Sequence, residues 1–338
     1  MGLFEAMEQY DTEKERKILT VVKGVHVGEK ALFSESRLLW ENKDHGFFHK
    51  HQEIAEKITE SGIINVEEEM IFCDIPGQQI KLVICGGGHV SIPIIQLGQM
   101  MGNHVTVIED RPKFADHARR AGASEVFCEP FQDALKKIKG GRDTFFVIVT
   151  RGHRYDQICL FEIAKKEHAY IGMMGSKKRV ATVKKQLIED GADPQVIENI
   201  YSPIGLSIGA ETPEEIAVAI AAEMIQVKNM KKRTSGYTKE MLHAIREKEG
   251  TKILATIVTR KGSAPRAVGT KMLILPDGNC IGTIGGGCME ADVVRKARTL
   301  MGQNESNVQL CRVDMTGADA EEEGMVCGGI VDVFLEKI

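Results

Sequence analysis

An apolar run, Ile80–Cys85, passes directly into Gly86-Gly87-Gly88-His89-Val90-Ser91 and then into a helix-like apolar stretch that stops at Gly102. A glycine turn between a buried strand and a helix is the opening of a βαβ unit, which restricts the fold more than any other feature of the chain. The pattern continues in kind. His104–Ile108 reads as a second strand ending in Glu109-Asp110, followed by a helix from Pro112 to Ala121 and a short strand at Glu125–Phe127. A helix near Gln132–Ile138 then leads to Phe145–Val149, a continuous apolar run of the kind a strand covered on both faces requires. Strands alternating with helices predict an α/β fold, a Rossmann-like, doubly wound parallel sheet.

This unit closes on a well-marked helix. Thr212-Pro213-Glu214-Glu215 supplies an N-cap, a proline at the first helical position and a reciprocal carboxylate, and the helix runs to about Gln226. A basic stretch with Thr234-Ser235-Gly236 reads as a linker. The C-terminal unit follows with a helix at Lys239–Lys248, strands at Ile253–Val258, Lys271–Leu275 and Cys280–Ile284, a turn at Pro276–Asn279, a helix at Cys288–Met301 and a strand at Ile330–Leu335. It is expected to be an α+β, cysteine-bearing domain.

The N-terminal segment reads as a degenerate copy of that unit. Lys17-Ile18-Leu19-Thr20 parallels Lys252-Ile253-Leu254-Ala255, and Val27–Leu32 parallels Val268–Leu273. The copy lacks counterparts of Gly262–Arg266 and of the triple glycine with its cysteine. The expected division is 1–79 for the copy, 80–227 for the Rossmann-like unit, 228–238 for the linker and 239–338 for the cysteine-bearing domain.

Five segments carry candidate chemistry. In the first glycine turn, Gly86 permits the tight bend, Gly88 lets phosphate oxygens approach the backbone, and Ser91 is a small third residue at the helix–strand contact. Glu109, 23 residues beyond Gly86, is placed to bind a ribose hydroxyl, and His89 is within the turn as a ligand contact or a structural histidine. Thr150-Arg151-Gly152-His153 and Met174-Gly175-Ser176-Lys177-Lys178-Arg179 follow further strands, where open α/β sheets take ligands. Gly175 and Ser176 combine backbone amides with neighbouring cations and suit an anion. Gly262-Ser263-Ala264-Pro265-Arg266 reads as a rigid turn offering a hydroxyl and the Arg266 guanidinium to phosphate.

The fifth segment is Gly285-Gly286-Gly287-Cys288-Met289-Glu290. The consecutive amides around Gly286 and Gly287 can converge into an anion-binding nest. Cys288 falls at a helix start, where the positive dipole end favours thiolate. Cys327 precedes a second glycine pair, Gly328-Gly329. Two thiols uncrowded by neighbouring side chains can act as sulfur donors, metal ligands or a redox pair. Cys73, Cys85, Cys128, Cys159 and Cys311 adjoin strand-like runs and read as core. No pair of cysteines has zinc-site spacing.

Charge and hydropathy narrow the partners. With 44 basic and 48 acidic residues the net charge is −4, which removes the electrostatic argument for nucleic acid. The aliphatic runs are far short of the ~18 residues a membrane span needs. The N-terminus has no signal-peptide pattern, and the chain is expected to be cytoplasmic.

Taken together, Gly262–Arg266, Gly285–Glu290, Gly324–Gly329, Gly86–Val90, Tyr170–Gly172 with Gly175-Ser176, and Pro203–Leu206 through Gly209–Glu215 resemble the XdhC/CoxI family. These are accessory and maturation factors of xanthine dehydrogenase and related molybdenum hydroxylases. The resemblance covers roughly residues 80–338. It implies a carrier that binds the phosphorylated molybdenum cofactor (molybdopterin) while a cysteine desulfurase exchanges an oxo ligand for sulfur, then delivers it to an apo-xanthine dehydrogenase-type hydroxylase. Such a protein is a maturation chaperone more than a turnover enzyme. In one respect the chain departs from the family: the cysteine-bearing domain commonly precedes the Rossmann domain, whereas here it follows. That order points to a site shared between chains of a homodimer.

Two other readings stay open. An NAD(P)-dependent oxidoreductase would use Gly86–Glu109 for NAD(P) or another nucleotide, with Cys288 or His153 in catalysis. A ligand-sensing module would need no chemistry. The fold alone does not choose among them.

Overall fold

The computed structural model describes residues 2–9, 14–77, 79–175, 177–230, 233–234, 236–247, 249–263, 266–304, 306–314 and 329–338, without the side chains of 177–179 and 288. Two compact units divide the chain, Met1–Gly77 with Lys232–Ile338 and Gln78–Lys231.

The first unit begins with α1 (Leu3–Gln9), β1 (Arg16–Lys23), β2 (Lys30–Ser34), β3 (Arg37–Glu41), the short helices α2 (Phe47–Lys50) and α3 (Ile54–Lys57), β4 (Gly62–Val66) and β5 (Glu69–Asp74). Its sheet is antiparallel in the order β3-β2-β1-β5-β4. Leu19, Val21, Ala31 and Phe33 bury one face against Phe47 and Phe48.

The second unit holds β6 (Lys81–Cys85), α4 (Ser91–Met100), β7 (His104–Ile108), α5 (Pro112–Arg120), β8 (Glu125–Phe127), α6 (Phe131–Lys137), β9 (Thr144–Ile148), α7 (His153–Ile163), β10 (Tyr170–Met173), α8 (Lys177–Glu189), α9 (Pro194–Glu198) and α10 (Pro213–Met230). The sheet is parallel, in the order β10-β9-β6-β7-β8. Read in chain order from the other edge this is 3-2-1-4-5, the classic Rossmann order without its sixth strand, with the strand order reversing beside β6. All five residues of β9 are buried, because helices cover both faces. The expected linker is helical through Met230, since Val227 still packs into the core. The box at the start of α10 forms: Thr212 N donates to Glu215 Oε2 at 3.0 Å and Glu215 N to Thr212 Oγ1 at 3.2 Å.

The chain then returns to the first unit with α11 (Lys239–Glu247), β11 (Ile253–Gly262), β12 (Lys271–Ile274), β13 (Cys280–Gly282), α12 (Gly287–Gly302), β14 (Val308–Asp314) and β15 (Gly329–Lys337). The order β13-β12-β11-β15-β14 repeats that of the first sheet strand for strand. The registers repeat too. Thr20 faces Lys30 as Thr256 faces Lys271, and Thr20 faces Phe72 as Thr256 faces Phe334. Each central strand has one register shift, at Val22 and at Val258. The equivalence therefore sets Lys17 against Ile253, one residue away from the match read in the sequence. A one-residue slip would turn each strand's core face outward, so the pairing and not the letter match fixes the alignment. The second match, Val27–Leu32 with Val268–Leu273, is in register, since it contains the paired lysines.

Candidate functional site

In the Rossmann-like unit, four of the segments singled out in the sequence leave the carboxyl ends of adjacent parallel strands: Gly86–Val90 after β6, Glu109-Asp110 after β7, Thr150–His153 after β9 and Met174-Gly175 after β10. Gly86 has φ +118°, and a Cβ there would lie 2.5 Å from the Val149 carbonyl oxygen. Only glycine serves at that point. Gly88 is the opposite case, because a Cβ on it meets nothing within 4 Å. The space a phosphate would need is open there, and His89 is exposed beside it.

Two residues expected to contact a cofactor are spent inside the turn. Ser91 is fully buried and donates through its hydroxyl to the Gly86 carbonyl at 2.7 Å, so it braces the loop from beneath. Glu109 is 1% exposed. Its Oε2 accepts from Gly87 N at 2.7 Å and Arg111 Nη2 at 3.1 Å, and its Oε1 from Arg111 N at 3.1 Å and Nε at 2.7 Å. Four donors fill the roughly four acceptor positions of a carboxylate, leaving none for a ribose hydroxyl. The sequence reading missed Arg111, whose guanidinium also lies 3.8 Å over the Phe114 ring. Asp110 is held by Arg151, with Nη2 at 2.9 Å from Oδ2. That hydrogen bond keeps the Asp110 carboxyl below its ordinary range. Ser176 lies outside the described residues.

The cysteine-bearing domain gathers its motifs at one end of its sheet. Gly262, where β11 ends, pairs with Gly329, where β15 begins. Gly282, where β13 ends, pairs with Met272 at the start of β12, and Asp314 at the end of β14 pairs with Ile330. Strand register thus points β11, β13 and β14 toward the same end of the sheet, with Gly282 level with Ala255 of β11, seven residues short of Gly262. Ser263 and Arg266 are exposed. Cys327, Ala264 and Pro265 lie outside the described residues, as does the Cys288 side chain.

The glycine turn is already occupied from within. Glu290, in the first turn of α12, accepts at Oε1 from Ile284 N at 3.0 Å, Gly285 N at 3.2 Å and Gly286 N at 2.8 Å, and from the Thr283 hydroxyl. Burial alone would raise its pKa, but the Thr283 bond and the three amides outweigh it and hold the carboxyl below its ordinary value. The nest expected to take a ligand anion therefore binds a side chain of its own domain. What remains free of side chains is the outer surface, since a Cβ at Gly286 (φ +78°) or Gly287 (φ +62°) meets nothing within 4 Å. Cys288 follows as the second residue of a 16-residue helix.

The other thiols divide by burial. Cys73, Cys85, Cys159 and Cys311 are buried as expected, but Cys128 is exposed just beyond the three-residue strand β8. Among the described residues no cluster of three or more His, Cys, Asp or Glu is arranged to hold a metal ion. Nor is any helix among them long and apolar enough to cross a membrane.

A Rossmann unit with a parallel five-stranded sheet, joined to antiparallel sheets of which the second leads into a glycine turn and α12, defines an α/β protein of distinct modules. The XdhC Rossmann domain matches residues 82–224, and the XdhC and CoxI family domain matches residues 245–314. The chain belongs to the XdhC and CoxI family. It is 31% identical over 167 residues to the uncharacterized protein YqeB of Escherichia coli K12, covering 47% of this chain and 29% of that protein. It is 30% identical over 148 residues to a probable xanthine dehydrogenase subunit of Bacillus subtilis 168, covering 44% of this chain and 43% of that protein. The chain thus spans less than half the length of either curated relative. A solved structure of a protein named xanthine dehydrogenase from Bacillus halodurans superposes with TM-score 0.51 at 27% identity, covering 65% of this chain and 64% of that one.

Proposed function

We propose that this protein is an accessory factor for a xanthine dehydrogenase-type molybdenum hydroxylase, with the molybdenum cofactor as its cargo. The observation that carries the reading is that β11, which ends at Gly262, and β13, which leads into the Gly285–Cys288 turn, run toward the same end of one sheet. The donor set suits the cargo: thiolates are soft ligands for a thiophilic metal centre or for sulfur in transit, and Arg266 offers a planar fork to the pterin phosphate. When bound, the cargo supplies the molybdenum centre that a cysteine desulfurase sulfurates and the apo-hydroxylase receives.

The chain's own part is to hold and expose. Glu290 fixes the glycine turn, the α12 N-terminus favours the thiolate of Cys288, and the bare backbone at Gly286 and Gly287 admits a bulky guest. In the Rossmann-like unit, Gly88 and His89 supply a second, phosphate-sized opening for the same cargo or for a nucleotide. The saturation of Glu109 weighs against NAD(P) chemistry as the main activity.

Purified protein is incubated separately with molybdenum cofactor and with NAD(P), and retention is measured after gel filtration. Cofactor retention is expected, and Cys288→Ala and Cys327→Ala are each expected to lower it, and apo-hydroxylase activation, by about tenfold with unchanged melting. Full maturation activity in both variants would remove the proposed role. Retained NAD(P) with turnover of a small substrate would establish the oxidoreductase reading instead.

A further inference from the structure

The two copies in the first unit meet through equivalent residues. Lys30 of the first copy pairs with Glu336 of the second, and Lys271 of the second pairs with Asp74 of the first, with Nζ 2.7 Å from Oδ2. By strand register Lys30 is the counterpart of Lys271, since both face the central-strand threonine, and Asp74 is the counterpart of Glu336, facing Ile18 and Leu254. Between the ion pairs, Val22, Phe72, Val258 and Phe334 form one apolar cluster. These too are two equivalent pairs, the register-shift valines and the phenylalanines opposite Thr20 and Thr256. A contact in which residue i meets j while the counterpart of j meets the counterpart of i is isologous, the pattern of a two-fold dimer. Here it lies within one chain.

We propose that the face of the C-terminal sheet bearing Val258, Lys271, Phe334 and Glu336 is a self-pairing surface that fits a second copy of the same domain, and that residues 1–77 stand in for that copy. Charge complementarity selects this occupant. Lys271 and Asp74 side chains are only 2% and 4% exposed, and Lys30 and Glu336 are 8% and 13% exposed. A buried charge without its partner is strongly destabilising, so the face demands a carboxylate opposite Lys271 and a cation opposite Glu336. A second C-terminal domain would supply both, each Lys271 meeting Glu336 of the partner chain. The first copy retains the pairing residues but not the functional loops. It has six residues between β1 and β2 in place of the Gly262–Thr270 connection, and two four-residue helices in place of α12. One cysteine-bearing edge is thereby presented for every two copies of the fold.

Charge reversal in the full chain tests this. Lys30→Glu with Asp74→Lys sets like charges across the internal contact but leaves Lys271 and Glu336 intact for a second chain. In a Val258→Cys background this reversed chain is expected to show a larger mass by sedimentation than the unreversed one. Under copper phenanthroline it is also expected to give a chain-to-chain disulfide that peptide mass spectrometry maps to position 258 in both chains. Adding Lys271→Glu and Glu336→Lys restores the internal pairs with opposite sign and should abolish both signals. The milder Lys30→Ala with Asp74→Ala, which removes the attraction without adding repulsion, should give the same link in lower yield. A folded chain of either kind without the link overturns the proposal. So does failure of both to fold, which would make the first copy an irreplaceable half of one domain and no stand-in. A link that persists after the fourfold reversal also overturns it.

Discussion

The amide of Gly87 donates to Glu109 Oε2 at 2.7 Å, so the first glycine turn is anchored to the end of the neighbouring strand by a buried carboxylate. Arg111 completes the arrangement from two residues away with both arms of its guanidinium. Glu109→Gln keeps the shape and removes the charge. Neutralising one member of such a pair costs about 2 kcal/mol here, at the low end because Arg111 is one-third exposed. The expected result in thermal unfolding is a lower midpoint for the Rossmann-like unit. An unchanged midpoint with weakened nucleotide binding would instead return Glu109 to the role of ribose ligand.

Gly86 and Gly88 are two residues apart and should respond oppositely to substitution. At Gly86 the positive φ and the Val149 carbonyl at 2.5 Å act together, and Gly86→Ala is expected to lose about 3 kcal/mol through strain and overlap. At Gly88 the Cβ enters open space, and Gly88→Ala should leave stability within ~0.5 kcal/mol. The larger Gly88→Val should fold as well but fill the opening, which equilibrium titration would report as weaker binding of a phosphorylated ligand. A destabilised Gly88→Ala would show that the opening is not free.

Much of this architecture was legible in the sequence. Strands β7 and β8 fall at the bounds read for them, His104–Ile108 and Glu125–Phe127, and β6 ends with its apolar run at Cys85 but begins at Lys81 and not Ile80, because the alternation of strand and helix segments brackets each short strand. Helix α7 was missed, since its first residue, His153, read as part of a ligand loop and its polar residues mask the periodicity. Strand β14, with the sequence Val-Gln-Leu-Cys-Arg-Val-Asp, was missed as a defined element because exposed polar residues interrupt both of its faces, Gln309 on one and Arg312 and Asp314 on the other. At the site, the letters gave the glycines and the acids but not their pairing. Whether Glu109 and Glu290 face a ligand or fold back onto glycine amides depends on the path of the chain between them. An acid in the first turn after a glycine run was the available signal for Glu290.

The thiols offer a direct reading of burial. Burial, helped by the adjacent Asp74, pushes the Cys73 thiol up to about 12, and burial raises Cys311 as well. Cys280 is exposed, yet desolvation and the charge of Glu290 raise it too. Iodoacetamide at neutral pH is therefore expected to label Cys128 before Cys280, and both before Cys73, Cys85, Cys159 and Cys311, with rates read by peptide mass spectrometry. Early labelling of Cys85 or Cys159 in the folded chain would contradict the packing of the parallel sheet.

Glu290 links the glycine turn to pH. Its carboxyl is held below the ordinary glutamate value in the folded chain. The stability it contributes is therefore complete above the unfolded value of ~4.3 and is lost as pH falls through the lowered folded value. Glu290→Gln keeps one acceptor oxygen for the amides but loses the charge, and should cost about 1 kcal/mol at pH 7, a low figure because the group is partly exposed. Glu290→Ala leaves the amides of Ile284, Gly285 and Gly286 without their acceptor and should cost about 2 kcal/mol. Melting curves at pH 7 and near pH 3 distinguish charge from shape. The gap between wild type and Glu290→Gln should close at the lower pH, whereas the penalty of Glu290→Ala should persist in part. A gap of constant size across that range would mean that the carboxylate charge does not hold the turn.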